Sequence, residues 1–247
     1  MILLLAAIVT LETDTTRVAF DPARNGAIVS LVDKASGKEF AASPAVPLLY
    51  ELRFTNTVTK STVTWTEADA NGARVERDGD AVVITTLYVR RPEADPFKVK
   101  LTSGPMMIIG NPAVVVKCRF RTEPKSTFIH GRITVGSQQE NFSLASVRFP
   151  ALAWQKQLGP SPEREFLVLP RNDGCIIQAP GTRGSLPVSP YPGSASMQFV
   201  SAYDDTAGLY AACCDREGFA KQIGVEKGRD ALRLAFLHYP THEPRRE

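Results

Sequence analysis

The sequence predicts an all-β fold, a large antiparallel β-sandwich, on three observations. Apolar residues recur at every second position in segment after segment, the pattern of a strand with one buried face. No stretch shows the apolar spacing of a long amphipathic helix between caps. The 17 glycines and 18 prolines divide the chain into short segments, as turns between strands require. A chain of 247 residues can bury a sizeable core, and sandwiches of this length commonly form one domain. Residues 11–240 are read as that domain, and 241–247 as a charged tail or the start of a linker.

Taken in order, residues 2–9 are an apolar run, too short to span a bilayer and without a positively charged start. Residues 1–10 are therefore either the remnant of a secretory signal, with Ala6-Ala7 near a cleavage site, or the first buried strand. Residues 17–20 and 27–32 read as neighbouring strands joined through Asn25-Gly26, with a turn at 33–38. In 61–67, Val63 and Trp65 alternate with Thr62, Thr64 and Thr66, giving one apolar and one hydroxylated face. Residues 72–77 and 81–89 flank the hairpin turn Asp78-Gly79-Asp80, and the second arm is apolar on both faces, so it should be covered on both.

The clearest period of two runs from 114 to 121: Val114, Val116, Cys118 and Phe120 alternate with Val115, Lys117, Arg119 and Arg121. The first set should be core and the second should meet water. Ile129, Ile133 and Val135 repeat the theme, placing His130 and Arg132 on the opposite face. Residues 150–164 are the best candidate for a short helical turn or crossover, and 181–193, rich in Pro, Gly and Ser, for a long loop. A hairpin follows, with arms at 197–203 and 209–214 around the turn 204–208 and a second turn at 215–218. Leu232, Leu234 and Phe236 mark a late strand. No internal repeat suggests a propeller or solenoid.

Net charge is +3, from 29 Lys and Arg against 26 Asp and Glu, spread without a basic block. Composition therefore gives no argument for nucleic acid or a membrane surface, and neutral sugars remain compatible. Cys118, Cys175, Cys213 and Cys214 form no C-x-x-C pair and no metal spacing. Small buried thiols are the favoured reading, Cys213 and Cys214 pointing to opposite faces if both lie on a strand. A disulfide from Cys118 or Cys175 to one of them is the minor option.

The run Tyr191-Pro192-Gly193, Ser196-Met197-Gln198-Phe199, Tyr203-Asp204, Gly208-Leu209-Tyr210, Asp215, Glu217-Gly218 and Lys221 resembles the closing strands of a β-supersandwich. That supersandwich, galactose-mutarotase-like, precedes a (β/α)8 barrel in an uncharacterised group of glycoside-hydrolase-like proteins. Leu169 to Gly174 resembles the group's upstream loop, and Val18 to Phe40 its opening strands. The resemblance implies a non-catalytic N-terminal module packed beside a downstream catalytic barrel, in a secreted or periplasmic protein whose catalysis lies outside these residues. Its motifs read as structural rather than catalytic.

Local motifs for chemistry are sparse. His242 lies in the charged tail, and His130 and His238 lack H-x-H or H-E-x-x-H spacing, so neither metal nor cofactor is expected. Glycoside hydrolysis needs two carboxyl groups across a cleft. Asp173, Asp204, Asp205, Asp215 and Glu217 qualify by type, but each sits beside a glycine or in a turn, where acidic residues serve the backbone. Phosphate-cradling loops and the G-x-S-x-G elbow are absent. Aromatic residues are the remaining route to a ligand, because sugar C–H faces pack on rings while their hydroxyls bond Asp, Asn and Arg. Trp154, Arg171, Asn172, Asp173 and Tyr191 are the candidates for a carbohydrate-facing or interface-facing surface, with Trp65 assigned to the core.

The expected function is an accessory β-sandwich of a carbohydrate-active protein, contributing to its sugar cleft. A stand-alone enzyme of aldose-epimerase type would need a histidine and a carboxylate assembled in space. A secreted structural or adhesion sandwich would show no sugar site.

Overall fold

The computed structural model describes residues 7–42, 49–89, 112–137 and 142–240. Within them the chain is built of antiparallel strands, and its only helical segments among these residues are single 3₁₀ turns. Contacts divide it into two compact units, one of residues 1–49 and 65–142, the other of 50–64 and 143–247. Residues 11–240, which the sequence reads as one domain, contribute to both units. The residues of the apolar run up to Ala6, and the tail from Thr241, lie outside the described residues.

In the first unit, β1 (Val9–Glu12), β2 (Thr16–Asp21) and β3 (Ala27–Asp33) form a meander. The turn from β2 to β3 is tight because Asn25 and Gly26 both take positive φ, 54° and 82°, a conformation glycine adopts without steric cost. Two strands of the second unit come next in the chain: β4 (Glu51–Asn56) and β5 (Thr62–Thr66), the last two residues of β5 being counted with the first unit. The first unit resumes with β6 (Gly72–Asp78), β7 (Ala81–Val89), β8 (Pro112–Thr122) and β9 (Ile129–Ser137), a sheet in that order. The β6–β7 hairpin closes at Asp78 opposite Ala81, so the loop is Gly79-Asp80, as its sequence signal predicts.

The two sheets of this unit pack as a sandwich. Phe20 of β2 meets Phe120 of β8 with ring centroids 4.9 Å apart, and β1 lies against β6, β7 and β8. The alternation along β8 is realised: Val114, Val116, Cys118 and Phe120 are buried, whereas Lys117 and Arg121 are exposed. Along β7 both faces are largely buried, from Val82 and Ile84 on one to Val83 and Leu87 on the other. Trp65 stacks on Tyr88 at 5.0 Å, and the Tyr88 hydroxyl donates to the Thr66 carbonyl at 2.6 Å.

In the second unit the remaining strands are β10 (Phe142–Arg148), β11 (Ala153–Gln155), β12 (Phe166–Leu169), β13 (Cys175–Gln178), β14 (Val188–Tyr191), β15 (Phe199–Tyr203), β16 (Gly208–Ala212), β17 (Lys221–Lys227), β18 (Ala231–Leu234) and β19 (Leu237–His238). The large sheet runs β11-β18-β17-β19-β10-β4-β5, with β14 added on β17. The small sheet runs β13-β12-β15-β16, and β15 approaches β17. Leu167, Leu169, Val200 and Ala202 turn one face of the small sheet inward. Ile223, Val225, Leu232 and Leu234 are the buried residues of β17 and β18.

Two expectations change here, and a third, a short helical turn in 150–164, is met in part. The segment 181–193 contains strand β14, paired with β17 from Val188 opposite Gly224 to Tyr191 opposite Lys221. Proline weakens a strand signal because it lacks an N–H, yet Pro190 is accommodated where β14 pairs through one side only among the described residues. The segment 150–164 holds strand β11, and its helical content is one 3₁₀ turn, Pro162–Arg164. Cys213 and Cys214 fall after β16 rather than on it; all four cysteines are free, and only Cys118 is fully buried.

Candidate functional site: a buried lysine and an aromatic sheet face

Six of the resemblance-bearing residues, Tyr191, Gln198, Asp215, Glu217, Gly218 and Lys221, converge on one point. Register places Tyr191, Lys221 and His238 side by side on β14, β17 and β19. The Lys221 side chain is 0% exposed. Its ammonium donates to Asp215 Oδ2 at 2.6 Å and to the Phe219 carbonyl at 2.5 Å, and lies 4.9 Å from the Tyr191 ring centroid. Asp215 in turn accepts the backbone N–H groups of Glu217, Gly218 and Phe219 at 3.0, 3.3 and 2.8 Å. Gln198 donates to the Asp215 carbonyl at 2.8 Å, which ties the residue just before β15 to the same turn.

Burial acts to raise the Asp215 carboxyl. The hydrogen bond and charge of Lys221, with the surrounding N–H groups, outweigh it and hold the group below the ordinary carboxylate range. Burial first, and then the Lys221 charge, push the His238 imidazole down. Burial pushes the Cys213 thiol up. A lysine with no exposed surface cannot meet a substrate, and a carboxylate whose oxygens already accept four donors is not a free base. This constellation fixes the turn 215–218 to the sheet, and its chemistry is that of a lock.

The surface of the small sheet is different. Opposite its buried residues, alternation brings Ile176 of β13, Phe166 and Val168 of β12, Phe199 and Tyr203 of β15, and Tyr210 of β16 to the outer face. Phe166 stacks on Tyr203 at 5.5 Å, and Phe199 on Tyr210 at 5.7 Å. Tyr210 remains 50% exposed and Ile176 65% exposed. Polar groups border the rings: Arg164 forms an ion pair with Asp205, and Gln178 and Ser201 occupy the same outer positions.

The residues expected at a ligand surface are dispersed. Trp154 is only 1% exposed, so it is a core residue and not a platform. It sits on β11 opposite Leu232, where a short strand replaces the expected irregular segment. Arg171, Asn172 and Asp173 are exposed. Their loop is fastened to the turn after Tyr191 by an Arg171–Ala195 bridge, by Asn172 N–H to the Ser194 carbonyl at 2.7 Å and by Ser196 N–H to the Pro170 carbonyl at 2.7 Å. Tyr191 is half-buried over Lys221.

Among the other carboxylates, Asp204 accepts from Thr206 and Ala207 as a turn residue does. His130 lies 3.8 Å from Glu123 on the other unit's sheet. Among the described residues no group of three or more His, Cys, Asp or Glu is placed to hold a metal, and no helix is long and apolar enough to cross a membrane. Phe166, Phe199, Tyr203 and Tyr210 are not among the ligand candidates read from sequence, although the last three belong to the run that carries the resemblance. The signal for two of them was there, since Phe199, Ser201 and Tyr203 alternate on one strand.

Fold and surface together define a protein of antiparallel β-sheets, with a sandwich in its first unit and an open aromatic sheet face in its second. No protein-family profile matches the chain, and no curated protein matches it. Among solved structures it is similar to a TPR-domain-containing protein from Parabacteroides distasonis, at 13% identity and a TM-score of 0.45. The match covers 96% of this chain and 43% of that protein, so the chain spans less than half its length. At this score the likeness supports no functional inference.

Proposed function

We propose that the chain is an accessory β-sandwich module of a carbohydrate-active protein, of the galactose-mutarotase-like kind its motifs resemble, and that the aromatic face of the small sheet is its sugar-contacting surface. A secreted or periplasmic setting, and a catalytic barrel as neighbour in a longer protein, belong to the same proposal. The observation that carries it is the pair of ring stacks, Phe166 with Tyr203 and Phe199 with Tyr210, on a face where Tyr210 stays half exposed. Sugar rings offer apolar C–H faces to such residues, and tyrosine adds a hydroxyl at the edge of the contact. Water-exposed rings fixed by stacking lose little side-chain freedom on binding, which favours their use as a platform.

The test is a pull-down of the isolated chain on insoluble cellulose, chitin, xylan and mannan, followed by titration with the matching oligosaccharide. Retention on at least one glycan is expected, and Tyr203→Ala and Tyr210→Ala should each weaken it roughly three- to tenfold, the scale of one aromatic contact. No retention on any of the four, or retention indifferent to both variants, overturns the assignment of this face.

A further inference from the structure

The first unit carries a surface of opposite character. The outer positions of β8, Lys117, Arg119 and Arg121, stand beside Thr134, Arg132 and His130 of β9. Three cations at alternate positions form a line about 13 Å long, at about 3.3 Å rise per residue. Arg119 and Arg132 are direct cross-strand partners, an arrangement of like charges that destabilises a sheet. Part of this charge is answered on the protein: Asp78 pairs with Arg119 at 2.5 Å, and Glu123 with Arg121 at 2.6 Å. Lys117 and Arg132 are exposed and form no ion pair with a described residue. The face therefore keeps a positive excess where the fold gains nothing from it.

We propose that this face binds an anionic polysaccharide of the polyuronate class, its regularly spaced carboxylates meeting the line of Lys117, Arg119 and Arg121 and the neighbouring Arg132. Guanidinium groups suit carboxylates because their paired N–H donors match both oxygens. A single-stranded nucleic acid would call for rings on which bases stack. The outer positions of β8 and β9 named here hold one ring, the His130 imidazole, where successive bases would need several, and a flat sheet face does not enter a duplex groove. The site is separate from the aromatic face and stands without it.

The experiment is affinity electrophoresis of the whole chain in gels containing polygalacturonate or, at equal mass, neutral dextran, with a single-stranded oligonucleotide as a second polyanion in solution. Retardation by polygalacturonate alone is expected. It should weaken roughly tenfold in a Lys117→Gln, Arg132→Gln variant and vanish at about 0.5 M salt, where screening is strong. Both side chains are exposed, so the variant should keep the parent's denaturation midpoint. Equal affinity for the oligonucleotide would reduce the effect to unspecific charge and overturn the proposal. Binding that survives the double variant but disappears with Tyr203→Ala and Tyr210→Ala would do the same, by assigning the polymer to the other face.

Discussion

Replacing Lys221 by methionine is the most direct probe of how the second unit is held together. The substitution keeps an unbranched chain of similar length in a site with no exposed surface, but removes the ammonium. Asp215, 18% exposed as a side chain, then keeps only its three backbone donors. Breaking a buried pair from one side costs about 3–5 kcal/mol, because the remaining charge stays desolvated. The three N–H groups place the expectation at the lower end, about 3 kcal/mol, and loss of the contact with the Tyr191 ring adds about 0.5–2 kcal/mol. Asp215→Asn, made alone and together with Lys221→Met, completes a double-mutant cycle. In a Trp65→Phe background, fluorescence of Trp154 during urea titration reports on the second unit. The double variant should lose far less than the two single losses combined, since neither charge is then stranded. Additivity within about 0.5 kcal/mol would refute the idea that the two groups act as a unit.

Four other outcomes follow from the geometry. Phe120→Ala should destabilise the first unit by about 3–5 kcal/mol through the cavity it leaves against Phe20, whereas Arg119→Ala, on the outer face, should shift the denaturation midpoint far less. Gly224→Ala should loosen β14, because a Cβ there would stand 2.7 Å from Val188 Cα and closer still to the Pro187 carbonyl; faster amide exchange at 188–191 would register it. The second unit should weaken in two steps on acidification. His238 has a lowered folded pKa, so its contribution is full above about pH 6.5 and declines as pH falls from there toward the lowered value, a step that His238→Gln should abolish. Asp215 is likewise lowered, so its contribution is full above about pH 4 and is lost as pH falls through its folded value, the step that Asp215→Asn should remove. Assays on aryl glycosides and α-glucose should show no turnover by the isolated chain; a purified activity lost on His130→Ala or His238→Ala would contradict the accessory reading.

Strands with strict alternation were legible residue by residue. In β8 the buried set from Val114 to Phe120 and the exposed Lys117 and Arg121 follow directly from period two, and in β7 a doubly apolar run gives a doubly buried strand. Strand β14 was hidden because Pro187, Pro190 and Pro192 carry a turn signal, while the pairing that makes it a strand is supplied by β17, far along the chain. The candidate surface was hidden for a related reason. Each ring stack joins residues from two strands, Phe166 with Tyr203 and Phe199 with Tyr210, and only the register of the sheet brings them together. Trp154 was misplaced because a large aromatic in an irregular-looking segment reads as exposed, whereas the three-residue strand β11 carries it into the core.

The division of the chain into two units has a bearing on how the molecule is made. Each unit is assembled from two separate stretches, 1–49 with 65–142 and 50–64 with 143–247. On a ribosome the pair β4–β5 therefore emerges well before β10, the strand beside which β4 finally lies. A β4–β5 hairpin formed in that interval would have unpaired edges, a template for wrong pairing with another nascent chain. The threonines of β5 would soften that hazard by keeping one face of the hairpin hydrated. Neither unit is one continuous segment of the chain, so a cut at a single point separates neither from the other in sequence.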